Sequence, residues 1–258
     1  MIGPLTVKIG GSAAEHGAVL HLVARSAPTD SVVVHGGGDQ VGEWSRRLGL
    51  EPRFHDGLRV TDGRTLEVVV AVLGGLVNAR LVARLAALGR PAVGLTGADG
   101  GLLGLRPVDP ALGHVAEVAG VEPVILQRLV DAGMLPVLAP VGMDADGSLY
   151  NINADEVAGA VAAARGGTLL LCTDVAGVLR DGELIGALDT SGAKGLLRDG
   201  TASAGMRPKL RAALHAAQGG CTVRIIDGRS SDAVEAALRG EMAGTTITAS
   251  AAVTQEVP

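Results

Sequence analysis

Lysine is scarce in this chain of 258 residues: of 22 basic residues only Lys8, Lys194 and Lys209 are lysine, and the rest are arginine. Two of the three fall in segments where a strand or loop carries glycine shortly before or after the lysine. Lys8 lies in Leu5–Ser12 (L-T-V-K-I-G-G-S), and Lys209 closes Thr201–Lys209 (T-A-S-A-G-M-R-P-K). Lysine presents a compact ammonium that meets one oxygen as a point charge, where arginine presents a wide fork. On a strand Lys8 projects to one face and Val7 and Ile9 to the other. Gly10 and Gly11 then let the backbone approach a ligand and present successive N–H groups at the next helix start. Such a nest binds phosphate, and a nearby ammonium strengthens it. Lys209 follows Pro208 in a helix's first turn, where a cation is unfavourable alone and an anion beside the amides removes the penalty.

Other stretches add polar groups at the ends of apolar runs. Ser31–Asp39 (S-V-V-V-H-G-G-G-D) is a β-branched run ending in three glycines, as in a buried parallel strand with a ligand at its carboxyl end. His35 reads as a strand-end residue with a satisfied hydrogen bond and receives no catalytic role. Arg59, between apolar Leu58 and Val60, suits either a fork aimed into a cleft at a carboxylate or a surface salt bridge. In Tyr150–Ala164 (Y-N-I-N-A-D-E-V-A-G-A-V-A-A-A), Asn153 or Asp155 can cap an alanine-rich helix. Capping explains one polar residue; Asn151, Asn153 and Asp155 together suggest a ligand-facing helix start. Thr173–Val178 (T-D-V-A-G-V) is another strand-end turn carrying an acid.

Composition narrows the class. Apolar residues make up 47% of the chain and aromatic residues only 1%, which reads as an α/β enzyme with an aliphatic core. A net charge of −5 without a basic cluster argues against nucleic acid as a partner. No uninterrupted apolar run reaches the 18 or so residues of a membrane span, and the N-terminus lacks a signal-peptide pattern, so the expectation is a cytoplasmic protein with no membrane partner. Cys172 and Cys221 sit in apolar segments without metal-ligand spacing and read as core residues; no metal site is expected.

The elements that must position these residues follow in order. A helix is expected from Ser12 to about Ala27, a strand at Ser31, and a helix over Gln40–Leu48 with Trp44 as packing. Phe54–Asp62 reads as a hairpin around Gly57, and Thr65–Leu88 as a helix with a possible break at Gly74-Gly75. Ala92–Gly97 is a strand, and Gly100 to about Glu122 a β-hairpin flap over a site. Pro123–Ala132 is a helix, Leu135–Pro140 a strand and Asp144–Gly147 a turn. The last third reads as strand Thr168–Cys172, helix Asp189–Arg198, the helix of Lys209, strand Val223–Asp227, helix Ser231–Arg239 and a short strand near Thr245–Thr248. A lobe boundary is placed near Gly166-Gly167.

The chain lacks G-x-x-x-x-G-K-[ST], G-x-G-x-x-G, G-x-S-x-G and a His pair at metal spacing. Glycine-rich strand ends with two isolated lysines and no clear base suit charge neutralisation, as phosphoryl transfer requires. In this order, K-I-G-G-S at Lys8–Ser12, V-H-G-G-G at Val34–Gly38, G-L-R-V-T-D at Gly57–Asp62, N-I-N-A-D at Asn151–Asp155, T-D-V-A-G-V at Thr173–Val178 and G-M-x-x-K at Gly205–Lys209 resemble the amino acid kinase family. Within it the likeness is to the branch that phosphorylates acetylglutamate in arginine biosynthesis.

The resemblance implies a three-layer αβα sandwich around a central, mostly parallel sheet. An N-lobe of about 1–166 would bind the acylated amino acid, N-acetyl-L-glutamate, and make a homodimer; a C-lobe of about 167–258 would bind ATP. Lys8 and Lys209 match lysines that stabilise the transferring phosphoryl group, and Asp155 the acid that holds them. Gly11 and Gly37 match glycines whose N–H groups contact phosphoryl oxygens. Arg59, Asn151 and Asn153, with the Gly37-Gly38 backbone, match substrate positions. Gly10, Thr173, Asp174, Val175, Ala176, Gly177, Val178, Leu179, Thr201, Ala202, Ser203 and Met206 match nucleotide positions, with Mg²⁺ carried on the nucleotide. Ala204 departs from the Gly or Asp usual before the G-M pair, and no helix precedes the first strand of the kind arginine-inhibited hexamers use, so an arginine-insensitive dimer is expected. R-V-T-D-G-R-T-L-E-V-V with G-L-V-N-A-R-L-V, and D-G-R at Asp227–Arg229, also resemble the sister kinase that acts on carrier-linked aminoadipate in lysine biosynthesis; H-G-G-G and N-I-N-A-D favour acetylglutamate. A sensor of the same fold without turnover would need neither lysine.

Overall fold

The computed structural model describes residues 3–10, 17–203 and 205–250. Its centre is an eight-stranded sheet in the order β14-β16-β15-β11-β1-β2-β8-β5. These strands are β1 (Leu5–Ile9), β2 (Ser31–His35), β5 (Ala92–Thr96), β8 (Leu135–Ala139), β11 (Thr168–Thr173), β14 (Ala187–Asp189), β15 (Thr222–Asp227) and β16 (Thr245–Thr248). Only β15 and β16 pair antiparallel; every other neighbouring pair is parallel. Parallel strands are covered on both faces, which is why Ser31–His35 and Leu135–Ala139 are buried throughout.

Alternation along β1 and β2 divides the core in two. Leu5, Val7, Ile9 and Val33 join one apolar cluster, with helix α1 (Ala18–Ser26), helix α3 (Gly63–Ala87) and helix α8 (Ser231–Leu238). Val32 and Val34 face the other cluster, beneath α4 (Val124–Asp131), α5 (Ala154–Arg165), α6 (Thr190–Arg198) and α7 (Met206–Gln218). The expected three-layer αβα sandwich is therefore the observed fold. Helix α2 (Gly38–Arg47) follows β2 directly, and Cys172 and Cys221 are buried, unpaired core residues.

Three local features differ from the sequence reading. Gly74-Gly75 does not break α3: residues Val70–Val77 form a π-helical segment between two α-helical ones. Glycine relaxes the chain here, and the wider turn keeps the helix continuous. Helix α3 is also long and apolar enough to cross a membrane by length and composition, with a mean hydropathy of 1.9 in its most apolar 18-residue window. Val68, Val69, Val72, Leu73, Val77, Leu81 and Leu85 lie in the core, and 39% of that window is buried. Between β11 and β14 lies a small hairpin absent from the sequence reading, β12 (Leu179–Arg180) with β13 (Glu183–Leu184), whose signal is the Asp181-Gly182 turn with both residues at positive φ.

The flap is present as β6 (Leu103–Pro107) paired antiparallel with β7 (Ala116–Val121). It continues into a hairpin of β9 (Val141–Met143) and β10 (Leu149–Asn151), giving a second sheet ordered β10-β9-β6-β7. The Phe54–Asp62 stretch forms the two-stranded hairpin β3 (Phe54–His55) and β4 (Leu58–Arg59).

Candidate active site

The switch in strand order lies at β1, flanked by β11 on one side and β2 on the other. Ligands in such sheets sit at the carboxyl ends beside that point. Lys8 is the penultimate residue of β1 and lies on the opposite face from Val7 and Ile9, beneath α5. Its ammonium meets Oδ1 of Asp155 at 2.7 Å, while that of Lys209 meets Oδ2 at 3.5 Å and the Gly205 carbonyl at 3.2 Å. The Lys8 and Asp155 side chains are only 9% and 7% exposed, so solvent screens their charges weakly.

The helix starts explain the arrangement. Asn153 caps α5, its side-chain oxygen accepting from the N–H groups of Asp155 and Glu156 at 2.8 and 3.3 Å. Asp155 thus stands in the first turn, where the helix dipole favours an acid. Burial pushes its carboxyl up, but the ammonium groups of Lys8 and then Lys209 outweigh that and hold it below its ordinary value. Lys209 sits in the first turn of α7, which packs along α5 with Gly159 against Ala212: a Cβ at 159 would lie 2.7 Å from the Ala212 carbonyl oxygen. One carboxylate between two ammonium groups leaves one positive charge unmatched.

Beside this trio lies a cavity of about 170 Å³. It is lined by Gly36, Gly37 and Gly38 after β2, by Arg59, by Val69 and Leu73 of α3, and by Asn151, Asn153 and Ala154. Arg59 makes no salt bridge among the described residues; it donates to the Gly38 carbonyl at 2.8 Å and stacks 4.8 Å over Phe54. Its buried Nη1 has no hydrogen-bond partner among the described residues, an orphan donor on a side chain that lines the cavity. Burial, then the neighbouring Arg46, lowers its pKa. Asn151 donates to the Thr61 hydroxyl at 3.2 Å, and Thr61 is tied to the Arg59 carbonyl at 2.8 Å.

Of the positions expected to meet a nucleotide, Thr173 ends β11 and Asp174 follows it. The Thr173 hydroxyl donates to Asp174 at 3.0 Å, and Arg229 pairs with Asp227 and donates to the Asp174 carbonyl at 2.6 Å. Val178, Ala202 and Met206 are buried in the core cluster. Val175, Ala176, Gly177 and Leu179 follow on the same turn; Thr201 and Ser203 lie on the loop into α7, Ser203 accepting the Met206 and Arg207 N–H groups at 2.9 and 3.0 Å. Gly10 donates to the Cys172 carbonyl at 3.3 Å. Gly11 and Ala204 lie outside the described residues.

Sequence reasoning passed over three groups here. Asn78, polar in the apolar stretch Gly74–Val82, was a legible signal. Glu156 accepts the Val118 N–H at 2.7 Å and ties β7 to α5; burial raises its pKa. Arg229 was noticed only for its likeness to another kinase.

Comparison with known proteins shows the family. Residues 5–227 match the model of the amino acid kinase family. An acetylglutamate kinase of Rubrobacter xylanophilus is 46% identical over 245 residues, covering 94% of this chain and 96% of that protein. An acetylglutamate kinase of Stutzerimonas stutzeri is 42% identical, covering 89% and 84%. Among solved structures, smu.665 of Streptococcus mutans superposes with a TM-score of 0.80 at 26% identity, covering 95% and 98% of the two chains. Carbamate kinase of Giardia shares the fold, with a TM-score of 0.67 at 16% identity and coverage of 96% and 99%.

Proposed function

The chain belongs to the amino acid kinase family, and we propose that it phosphorylates the side-chain carboxylate of N-acetyl-L-glutamate with ATP, a step of arginine biosynthesis. The bridging of Lys8 and Lys209 by Asp155 carries this reading. A sensor needs no such charge device, and the relatives named acetylglutamate kinase favour the glutamyl substrate over carrier-linked aminoadipate.

The side-chain carboxylate is ionised at neutral pH and attacks the γ-phosphorus of ATP without a general base. The new carboxyl-oxygen–phosphorus bond forms as the bond to the ADP oxygen breaks, giving an acyl phosphate and ADP. The barrier is the approach of one anion to another. Lys8 and Lys209 offset it at the transferring group, and Asp155 fixes both ammonium groups before substrate arrives. Arg59 and Asn151 hold the substrate's fixed carboxylate and acyl-amide end, Asn153 contributes its free amide, and Gly37 and Gly38 offer N–H groups. The C-terminal part from about 167 would carry ATP, and the part before it the amino acid and the homodimer contact.

No cluster of three or more metal-ligating side chains exists among the described residues, and both oxygens of Asp155 face ammonium groups. Mg²⁺ would be carried on the nucleotide phosphates, where it would neutralise part of their charge. A cytoplasmic setting suits a biosynthetic kinase. ADP release dependent on N-acetylglutamate tests the reading; release only with N-acetyl-aminoadipate would move the enzyme to the other pathway.

A further inference from the structure

His35 is fully buried at the end of β2, one residue before the three glycines that line the cavity. Its Nδ1 lies 2.8 Å from the Gly36 carbonyl oxygen, and its Nε2 3.1 Å from Nδ2 of Asn78 on α3. A carbonyl only accepts, so Nδ1 carries the proton. Nδ2 of Asn78 also reaches the Val137 carbonyl at 2.9 Å and the Leu95 carbonyl at 3.4 Å, which identifies it as the donor to Nε2. The ring is therefore a neutral imidazole in one defined tautomer, and burial agrees by depressing its pKa.

Gly36 and Gly37 share a trans peptide plane, in which the Gly36 C=O and the Gly37 N–H point in opposite directions. Whatever fixes the one fixes the other. Gly37 is also the N-cap position of α2, so its N–H has no intrahelical acceptor and is available to a ligand. Helix α3 braces the same loop a second time: a Cβ on Gly37 would lie 2.6 Å from Leu73 Cδ2. The π segment Val70–Val77 carries Leu73 and ends just before Asn78, bringing residues five apart towards one face.

We infer that His35, held by Asn78, is a positioning residue that aims the Gly37 N–H at the transferring phosphoryl group. The inference rests on the kinase reading above. It requires Nδ1 rather than the ring as a whole, because only Nδ1 meets Gly36. Asn at 35 places an amide nitrogen near Nδ1, whereas Gln places its amide oxygen near Nε2 and accepts from Asn78 alone.

The test measures kcat and the KM for ATP of wild type, His35→Asn and His35→Gln with N-acetylglutamate, with thermal midpoints as the folding control. His35→Asn should keep kcat within about threefold, and His35→Gln should lose about 100-fold, the scale set by misplacing a contact by about 1 Å. The KM for ATP should stay within about threefold in both. Should either variant fail to fold, Asn78→Thr gives the answer: it frees Nε2 while keeping His35, and kcat should fall about tenfold. A wild type active on N-acetylglutamate with His35→Asn no faster than His35→Gln, or with Asn78→Thr at full kcat, would overturn this inference alone. A wild type inactive with MgATP and N-acetylglutamate would overturn the kinase reading and this inference with it.

Discussion

Lys8 and Asp155 meet at 2.7 Å across two layers of the fold, the lysine on the central strand and the acid in the first turn of the helix covering it. Neither charge is stable in that place alone: each is nearly out of solvent, and removing one partner of a buried pair leaves the other uncompensated. Asp155 also meets Lys209, so one acid sets the separation of both cations.

Asp155→Asn should therefore lose both stability and turnover. The two ammonium groups would face a neutral amide, at a cost of about 3 kcal/mol or more. Thermal unfolding should show a lower midpoint, and kcat should fall at least about 100-fold, the scale of losing one aimed electrostatic contact. A full-rate variant would remove Asp155 from the charge device.

Gly159→Ala probes the same trio from a distance. The added Cβ would press on the Ala212 backbone, moving α7 and its Lys209 away from α5 and its Asp155. Overpacking of this kind costs about 1–3 kcal/mol. Steady-state kinetics should show a lower kcat alongside a depressed thermal midpoint.

Arg59→Lys should act on the amino acid and not on the nucleotide. The variant keeps a cation but loses the fork whose buried Nη1 is unpaired. The KM for N-acetylglutamate should rise about tenfold or more, with the KM for ATP little changed.

Stability should depend on His35 in acid. Its pKa falls from 6.5 in the unfolded chain to about 4 in the fold, chiefly through burial. Between these values the unfolded state binds a proton that the native state refuses, so stability is full above pH 6.5 and declines as pH falls towards 4. The loss approaches about 3 kcal/mol by pH 4. Urea melts across that window should show this slope in wild type and a shallower one in His35→Asn.

Much of this architecture is legible in the sequence because it rests on short-range rules. Buried parallel strands announce themselves as β-branched runs, and each glycine-rich site segment follows one. Lys8, Lys209 and Asp155 stand out by residue type and position. What stays hidden is relational. That Asn78 reaches His35 depends on the pitch of a π segment inside one helix, and the apolar pattern of Thr65–Leu88 gives no sign of it. The capping use of Asn153 could be read, but that Arg59 would stack on Phe54 could not, since the hairpin's twist decides it.

The most direct test of the central claim is ADP release from MgATP by wild type and Lys8→Arg, with N-acetylglutamate, free glutamate and N-acetyl-aminoadipate offered in parallel. The account predicts turnover with N-acetylglutamate alone, and a loss of most of it in a folded Lys8→Arg variant whose wider head cannot take the ammonium's place beside Asp155. A near-normal kcat in that variant would contradict the role given to Lys8 and to the charge device built around it.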